Sequence, residues 1–247
     1  MFILLKVIGE LMENKDLMLA INNFQRGLPV CVFDSEYREG ETDLLFLGRF
    51  ITPEKIRQLR QDCGGLLFLA IGSEIGKMFD LPYLQDLHLE PKSIEMYPVL
   101  NHLITNDLQY DNRSAFTLSL NHRDTFTGIT DHDRALTTKR FAELSEELIM
   151  LEKNTDEAIK LLGEEFRTPG HIPVCLETEG GLLKREGHTE LAVSLARLCG
   201  ETAVVIGAEM LEPEGDKALD FESARKWANE RNIPFLSGSL LKSALIK

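Results

Sequence analysis

The chain has 247 residues, 43% hydrophobic and 27% charged, the balance of a globular protein with a full-sized core. Its formal net charge of -13 argues against nucleic-acid binding, which needs concentrated Lys and Arg. The four cysteines are scattered without a CxxC pair, a pattern of reduced thiols in a cytoplasmic protein rather than of a disulfide framework or zinc site.

The start, Met1 to Ile8, is apolar but broken by Lys6. It is too short for a membrane span and lacks a signal-peptide cleavage pattern, so it is expected to pack on the domain as a strand or helix start. Leu17, Leu19, Ile21 and Phe24 mark a short amphipathic helix that Arg26-Gly27 ends. Pro29 to Phe33 is a near-continuous apolar run of strand length, as is Leu44 to Leu47. Between them, Asp34 to Asp43 holds five carboxylates: Asp34, Glu36, Glu39, Glu41 and Asp43. Such crowding beside an apolar core fits either a solvated hairpin or a loop that binds a hard divalent cation.

Thr52-Pro53 opens a helix through Gln61, and Gly64-Gly65 leads to a strand from Leu66 to Ile71. Residues 72–112 are less legible, apart from a short helix around Ile75 to Phe79. Phe116 to Leu120 alternates as a strand with one buried face. Asp131 to Arg134 and Thr137-Thr138 are read as polar residues preceding a helix that carries Phe141, Leu144, Leu148 and Leu151. They serve there as caps or as an anion contact. Thr168-Pro169-Gly170-His171 reads as a tight turn before a strand from Ile172 to Leu176. The stretch Arg185 to Glu190 is a polar elbow between a Gly-Gly turn and an apolar-periodic helix. It reads either as a helix start capped by Thr189 or as an anion site, with Arg185 suited to phosphate and His188 to metal or proton. A strand from Ala203 to Ile206 runs into Gly207-Ala208-Glu209. Asp220 caps a helix through Asn229, and Ile233 to Leu236 starts a last strand. No repeat or linker divides the chain, so one domain is expected.

The chain has no Gly-rich phosphate loop of the Walker type and no GxSxG elbow, which removes support for NTP hydrolysis and serine-type acyl transfer. A carboxylate and an imidazole sharing a divalent cation, beside a phosphate-suited elbow, point to metal-assisted enolisation or rearrangement of a small sugar phosphate.

Arg38-Glu39-Gly40-Glu41-Thr42-Asp43, Thr127-Gly128-Ile129, Asp133 to Thr138, Thr168 to His171, Arg185 to Glu190 and Gly207-Ala208-Glu209 resemble, in order, the motifs of 3,4-dihydroxy-2-butanone 4-phosphate synthases. The resemblance runs from about Leu17 to the C-terminus and is to the stand-alone, archaeal-like form. It implies an α+β fold, a single-domain three-layer α/β/α arrangement around a mixed β-sheet. Residues 1–16 would be an N-terminal extension and 143–165 an extended helical insertion. The implied activity is a carbon–carbon lyase of riboflavin biosynthesis that converts D-ribulose 5-phosphate to L-3,4-dihydroxy-2-butanone 4-phosphate and formate. The enzyme would be cytoplasmic, use Mg2+ (or Mn2+), and form a homodimer with active sites at the interface.

Carried over by position, Glu39 and His188 match the metal ligands. Arg38, Glu39, Asp43, Thr138, Arg185, Glu186, Gly187, His188, Thr189 and Glu209 match substrate-binding positions. His171, Glu209, Glu41 and Asp43 match candidates for catalysis, with the first general base among them left open. Phe68 stands where many relatives carry a Cys. The alternatives carried beside this reading are a nucleotide- or tRNA-binding relative of the same fold and another metal-dependent sugar-phosphate isomerase.

Overall fold

The computed structural model describes residues 15–105, 107–109 and 111–246. The expectations for Met1 to Ile8, and for all but the end of the 1–16 extension, lie outside these residues. The first helix, α1, covers residues 15–25 and ends at Gly27, as its apolar spacing predicts.

The two apolar runs flanking the acidic loop form strands β1 (Val30–Phe33) and β2 (Thr42–Leu47), and every residue in both is buried. They pair antiparallel, with Val30 opposite Leu45 and Phe33 opposite Thr42, so the acidic loop is a hairpin connection. Helix α2 (Pro53–Asp62) carries the predicted Thr52 cap and Pro at its first position. Strand β3 (Phe68–Ile71) follows. The poorly legible stretch resolves into α3 (Ser73–Met78), α4 (Leu84–Leu89), α5 (Pro91–Met96) and a 3₁₀ turn, Pro98–His102.

Strand β4 (Phe116–His122) does not alternate cleanly, because its last three residues are all buried. The polar residues from Asp131 do not precede the next helix but begin it: α6 spans Asp131–Met150 and is capped by Thr130. The Thr130 hydroxyl accepts the Asp133 N–H, and the Asp133 carboxylate accepts the N–H groups of Phe126, Thr127 and Gly128. That local network starts the helix a turn and more before the apolar periodicity does. Helix α7 (Thr155–Glu165), capped by Asn154, fills most of 143–165 together with the end of α6.

Thr168 to His171 is not a turn before a strand. It lies within one long strand, β5 (Phe166–Leu176), as an irregularity at which Asn121 pairs with Arg167 and Leu120 with Ile172. Helix α8 (His188–Leu198), β6 (Val204–Glu209), α9 (Phe221–Glu230) and β7 (Phe235–Ser237) match their sequence signals. A final helix, α10 (Gly238–Ile246), does not.

Among the described residues the strands form one mixed sheet of order β4-β5-β3-β6-β2-β1-β7. The helices sort into two groups on either side of it, α2 with α6 and α8 with α10, which makes the fold α+β in three layers. The central strands are near-continuous apolar runs because both faces are covered. No described helix is long and apolar enough to cross a membrane.

Candidate active site

The β1–β2 hairpin and the start of α8 meet where β2 begins beside the end of β6. Asp34, at the end of β1, is buried, and its two carboxylate oxygens accept the N–H groups of Glu39 at 3.0 Å and Glu41 at 2.9 Å. The Asp34 N–H donates to the Glu41 carbonyl at 3.1 Å, closing the loop. A loop of five carboxylates is thereby held in one conformation by the most buried of them.

Thr189 is not the cap of α8; that position is Gly187, which offers no side-chain bond. His188 is therefore the first helical residue. Its Nδ1–H donates to Asp43 at 2.7 Å, and its Nε2 faces Glu39 at 3.6 Å and Asp34 at 3.7 Å. Nε2 is buried without a hydrogen-bond partner. Burial alone would lower the pKa of this imidazole, but the carboxylates of Asp43, Glu39 and Asp34 outweigh it and raise the value to about 10. Ligand atoms of Glu39, Glu41 and His188 all lie within 4.8 Å of one another, so these three could hold a cation. Asp43 behind the imidazole fixes its ring orientation, as outer-sphere carboxylates do in metal sites. The carboxyl of Glu41 is raised, first by burial and then, against the opposing pull of His188, by Glu39, Asp43 and Asp34.

Glu209 ends β6 directly opposite Asp43 of β2. Residues opposed in this way share a face of the sheet. Burial and the neighbouring Asp43 push its carboxyl up to about 7. Gly65 makes room for it, since a Cβ there would lie 2.6 Å from Glu209 Oε2. On the adjacent strand Phe68 is buried opposite Gly207, and Leu45 of β2 fills the space that glycine's missing side chain leaves.

Arg185 lies in the same elbow, just before His188. Its guanidinium pairs with Glu190 at 2.6 Å and with Asp111 at 2.7 Å, and Arg38 reaches the same Asp111 oxygen at 3.1 Å. Glu190 is fully buried and also accepts the Thr178 N–H, which anchors it. A cavity of about 480 Å³ is lined by Glu39, His188, Thr189, Cys175, Arg185 and Asp111. A second, of about 710 Å³, lies across Asp111 and is lined by Arg38, Tyr37, Lys184 and Arg185 among others. Burial pushes the Cys175 thiol up to about 12, so it faces the smaller cavity in its neutral form.

The structure thus brings together Arg38, Glu39, Glu41, Asp43, Arg185, His188, Thr189 and Glu209. Gly187 is part of the same elbow, but the Glu186 side chain turns to Lys242 of α10. Two predicted residues stay apart within one chain. Thr138 is fully buried in α6. His171 is exposed, held by Asn121, whose Nδ2–H donates to His171 Nδ1 at 3.0 Å while its Oδ1 accepts the His171 N–H at 2.8 Å. Four residues of extended strand, about 13 Å, separate His171 from Cys175 at the cavity. Sequence reasoning missed Asp34, Asp111 and Glu190. An Asp at the exit of a buried strand was a usable signal for Asp34, as was the Arg-to-Glu spacing of five for Glu190. Nothing local marked Asp111.

Residues 19–244 match the 3,4-dihydroxy-2-butanone 4-phosphate synthase family. The chain belongs to that family. It is 38% identical to the 3,4-dihydroxy-2-butanone 4-phosphate synthase of Methanothermobacter thermautotrophicus, covering 90% of this chain and 92% of the relative. It is 39% identical to that of Archaeoglobus fulgidus, covering 89% of each. A solved 3,4-dihydroxy-2-butanone 4-phosphate synthase, described as a complex with two magnesium ions, superposes with a TM-score of 0.68. It is 24% identical and covers 92% of this chain and 94% of that one. Membership makes the chain an enzyme, a lyase of riboflavin biosynthesis, and sets aside the nucleotide- or tRNA-binding alternative.

Proposed function

We propose that the smaller cavity binds D-ribulose 5-phosphate and that the enzyme releases C4 of the sugar as formate, leaving L-3,4-dihydroxy-2-butanone 4-phosphate. The observation that carries this reading is the polarity of the cavity. Glu39, His188 and Arg185 all line it, so the oxygen-rich end of a sugar phosphate and its phosphate each meet a suitable partner.

Glu39, Glu41 and His188 would hold the divalent cation, magnesium or manganese. The orphaned His188 Nε2 supports this: it faces the carboxylates of Glu39 and Asp34, and a bound cation would take the place of the proton that their charge holds on it. The solved relative with two magnesium ions agrees with the choice of a hard cation. When bound, the ion would polarise the C2 carbonyl and acidify the neighbouring hydroxyls. Asp43 keeps the imidazole aimed, and Asp34 keeps Glu39 and Glu41 in reach.

Enolisation also needs a group that accepts a proton near neutral pH and returns it. With its carboxyl at about 7, Glu209 suits that task. Arg185 and Arg38 would hold the phosphate, helped by the N–H groups at the uncapped start of α8. The exposed His171, placed about 13 Å from the cavity edge, supports a homodimer in which a second copy brings His171 to this site. Four buried, free thiols fit a cytoplasmic location.

The test is formate release from ribulose 5-phosphate at saturating magnesium, repeated after chelation. Chelation, Glu39→Ala and His188→Ala are each expected to abolish turnover while circular dichroism stays that of the parent. Near-normal rates in either variant would overturn the cation assignment.

A further inference from the structure

Arg38 lies in the β1–β2 hairpin, Arg185 in the turn before α8, and Asp111 in the connection to β4. The carboxylate of Asp111 sits between the two guanidinium groups, 3.1 Å from Arg38 Nη2 and 2.7 Å from Arg185 Nη2 through one oxygen, with its other oxygen 3.5 Å from Arg38 Nη1. All three side chains are nearly closed off, at 12%, 16% and 14% exposure. Asp111 lines both cavities described above and a third of about 490 Å³, so it is the partition at which they abut.

Two converging arginine forks form an anion site, with geometry that serves phosphate as well as carboxylate. We propose that Asp111 is an internal stand-in for the substrate's phosphate. It occupies the arginine pair while the site is empty and must leave it when a phosphorylated sugar binds, which makes it a specificity-determining residue. This inference rests on the reading that Arg38 and Arg185 hold the phosphate.

Two physical consequences follow from the arrangement. Asp111 adds a shared carboxylate to the Glu190 that pairs with Arg185 and the Glu39 that faces Arg38, and so keeps the cleft between the two forks occupied in the absence of substrate. It also sets a threshold for binding. A neutral sugar cannot displace a carboxylate from two cations, whereas a dianionic phosphate brings more charge than the group it replaces. The segment has a fixed point from which Asp111 can swing. Arg113, two residues on, stacks on the Tyr83 ring at 3.4 Å and pairs with Asp86, and the Tyr83 hydroxyl donates to the Glu177 carbonyl. Displacing Asp111 therefore need not release Arg113.

The experiment is calorimetric titration of inorganic phosphate into the full-length protein at saturating magnesium, for the parent, Asp111→Asn and Arg185→Gln. Asparagine keeps the shape and removes the charge. If Asp111 is a stand-in, Asp111→Asn binds phosphate about tenfold more tightly, the effect of one competing charge at a part-buried pair. Its KM for ribulose 5-phosphate falls in parallel. If Asp111 instead holds the arginines in binding geometry, phosphate affinity drops, and an unchanged or weakened affinity overturns the proposal. Arg185→Gln separates the two levels. Loss of phosphate binding there with no tightening in Asp111→Asn sinks the stand-in role alone. Undiminished phosphate binding in Arg185→Gln sinks the phosphate reading and the stand-in with it. A matching melting temperature for Asp111→Asn shows that the change in affinity is not a change in fold.

Discussion

Glu209 offers the sharpest test, because a group tuned for proton transfer must weaken the fold that holds it. Its carboxyl rises from an ordinary 4.5 to about 7 through burial and the facing Asp43. Between those values the native state retains a proton that the unfolded chain has released, so stability falls as pH rises through the window. Once ionised, the group costs the native state about 3 kcal/mol. Glu209→Gln removes the charge and keeps an acceptor for the same surroundings. Urea unfolding of parent and variant in EDTA, at pH 5 and pH 8, isolates the effect from bound cations. The stability gained by the variant is expected to be about 2 kcal/mol larger at pH 8 than at pH 5. Formate release should meanwhile collapse, and in the parent kcat/KM should climb through pH 7 as the base ionises. Equal gains at the two pH values would refute the burial argument. A variant that retains parental turnover would refute the assignment of proton transfer to Glu209.

Other outcomes test the remaining parts of the site. Asp34→Ala strips two N–H groups of their shared acceptor and should cost about 2 kcal/mol in denaturant unfolding. It should also weaken magnesium binding by tenfold or more, and parental magnesium affinity would show that the loop orders itself without Asp34. If the site is shared between subunits, mixing inactive His171→Ala with inactive His188→Ala restores about a quarter of parental activity through heterodimers with one intact site. No recovery after unfolding and refolding the two together would show that His171 and His188 do not complete one site across subunits. Gly128→Ala puts a Cβ 2.2 Å from Asn121 Nδ2 and 2.5 Å from His171 Nδ1, at a backbone φ of +98°. Turnover should drop with the melting temperature, and an unshifted melting temperature would show that the loop relaxes freely.

Local chemistry made much of the fold legible. Thr52-Pro53 and Asp220 cap their helices where a short polar side chain precedes an apolar stripe, since that bond spans only three residues. Apolar runs marked β1, β2, β3 and β6 because strands covered on both faces need no alternation. Where local signals conflicted with longer-range ones, the reading failed. The α6 start was misplaced by a turn and more because the Asp133 network, not the apolar periodicity, sets it. Thr168 to His171 looked like a turn because Pro-Gly usually is one, but pairing with β4 on both sides holds it within β5.

The sequence by itself determined the family, most of the elements and the residue types of the candidate site: a hairpin rich in carboxylates, an elbow carrying Arg185 and His188, and a strand ending in Glu209. Only the tertiary structure decided which of them meet. The register that sets Asp43 opposite Glu209 joins residues 166 positions apart, and the bond from Asp43 to His188 spans 145. The two arginines close on Asp111, which no neighbouring residue distinguishes from an ordinary surface carboxylate. Electrostatic character follows from that assembly. A glutamate at about 7 and an imidazole at about 10 are properties of burial and of facing charges, which strand order supplies and composition does not.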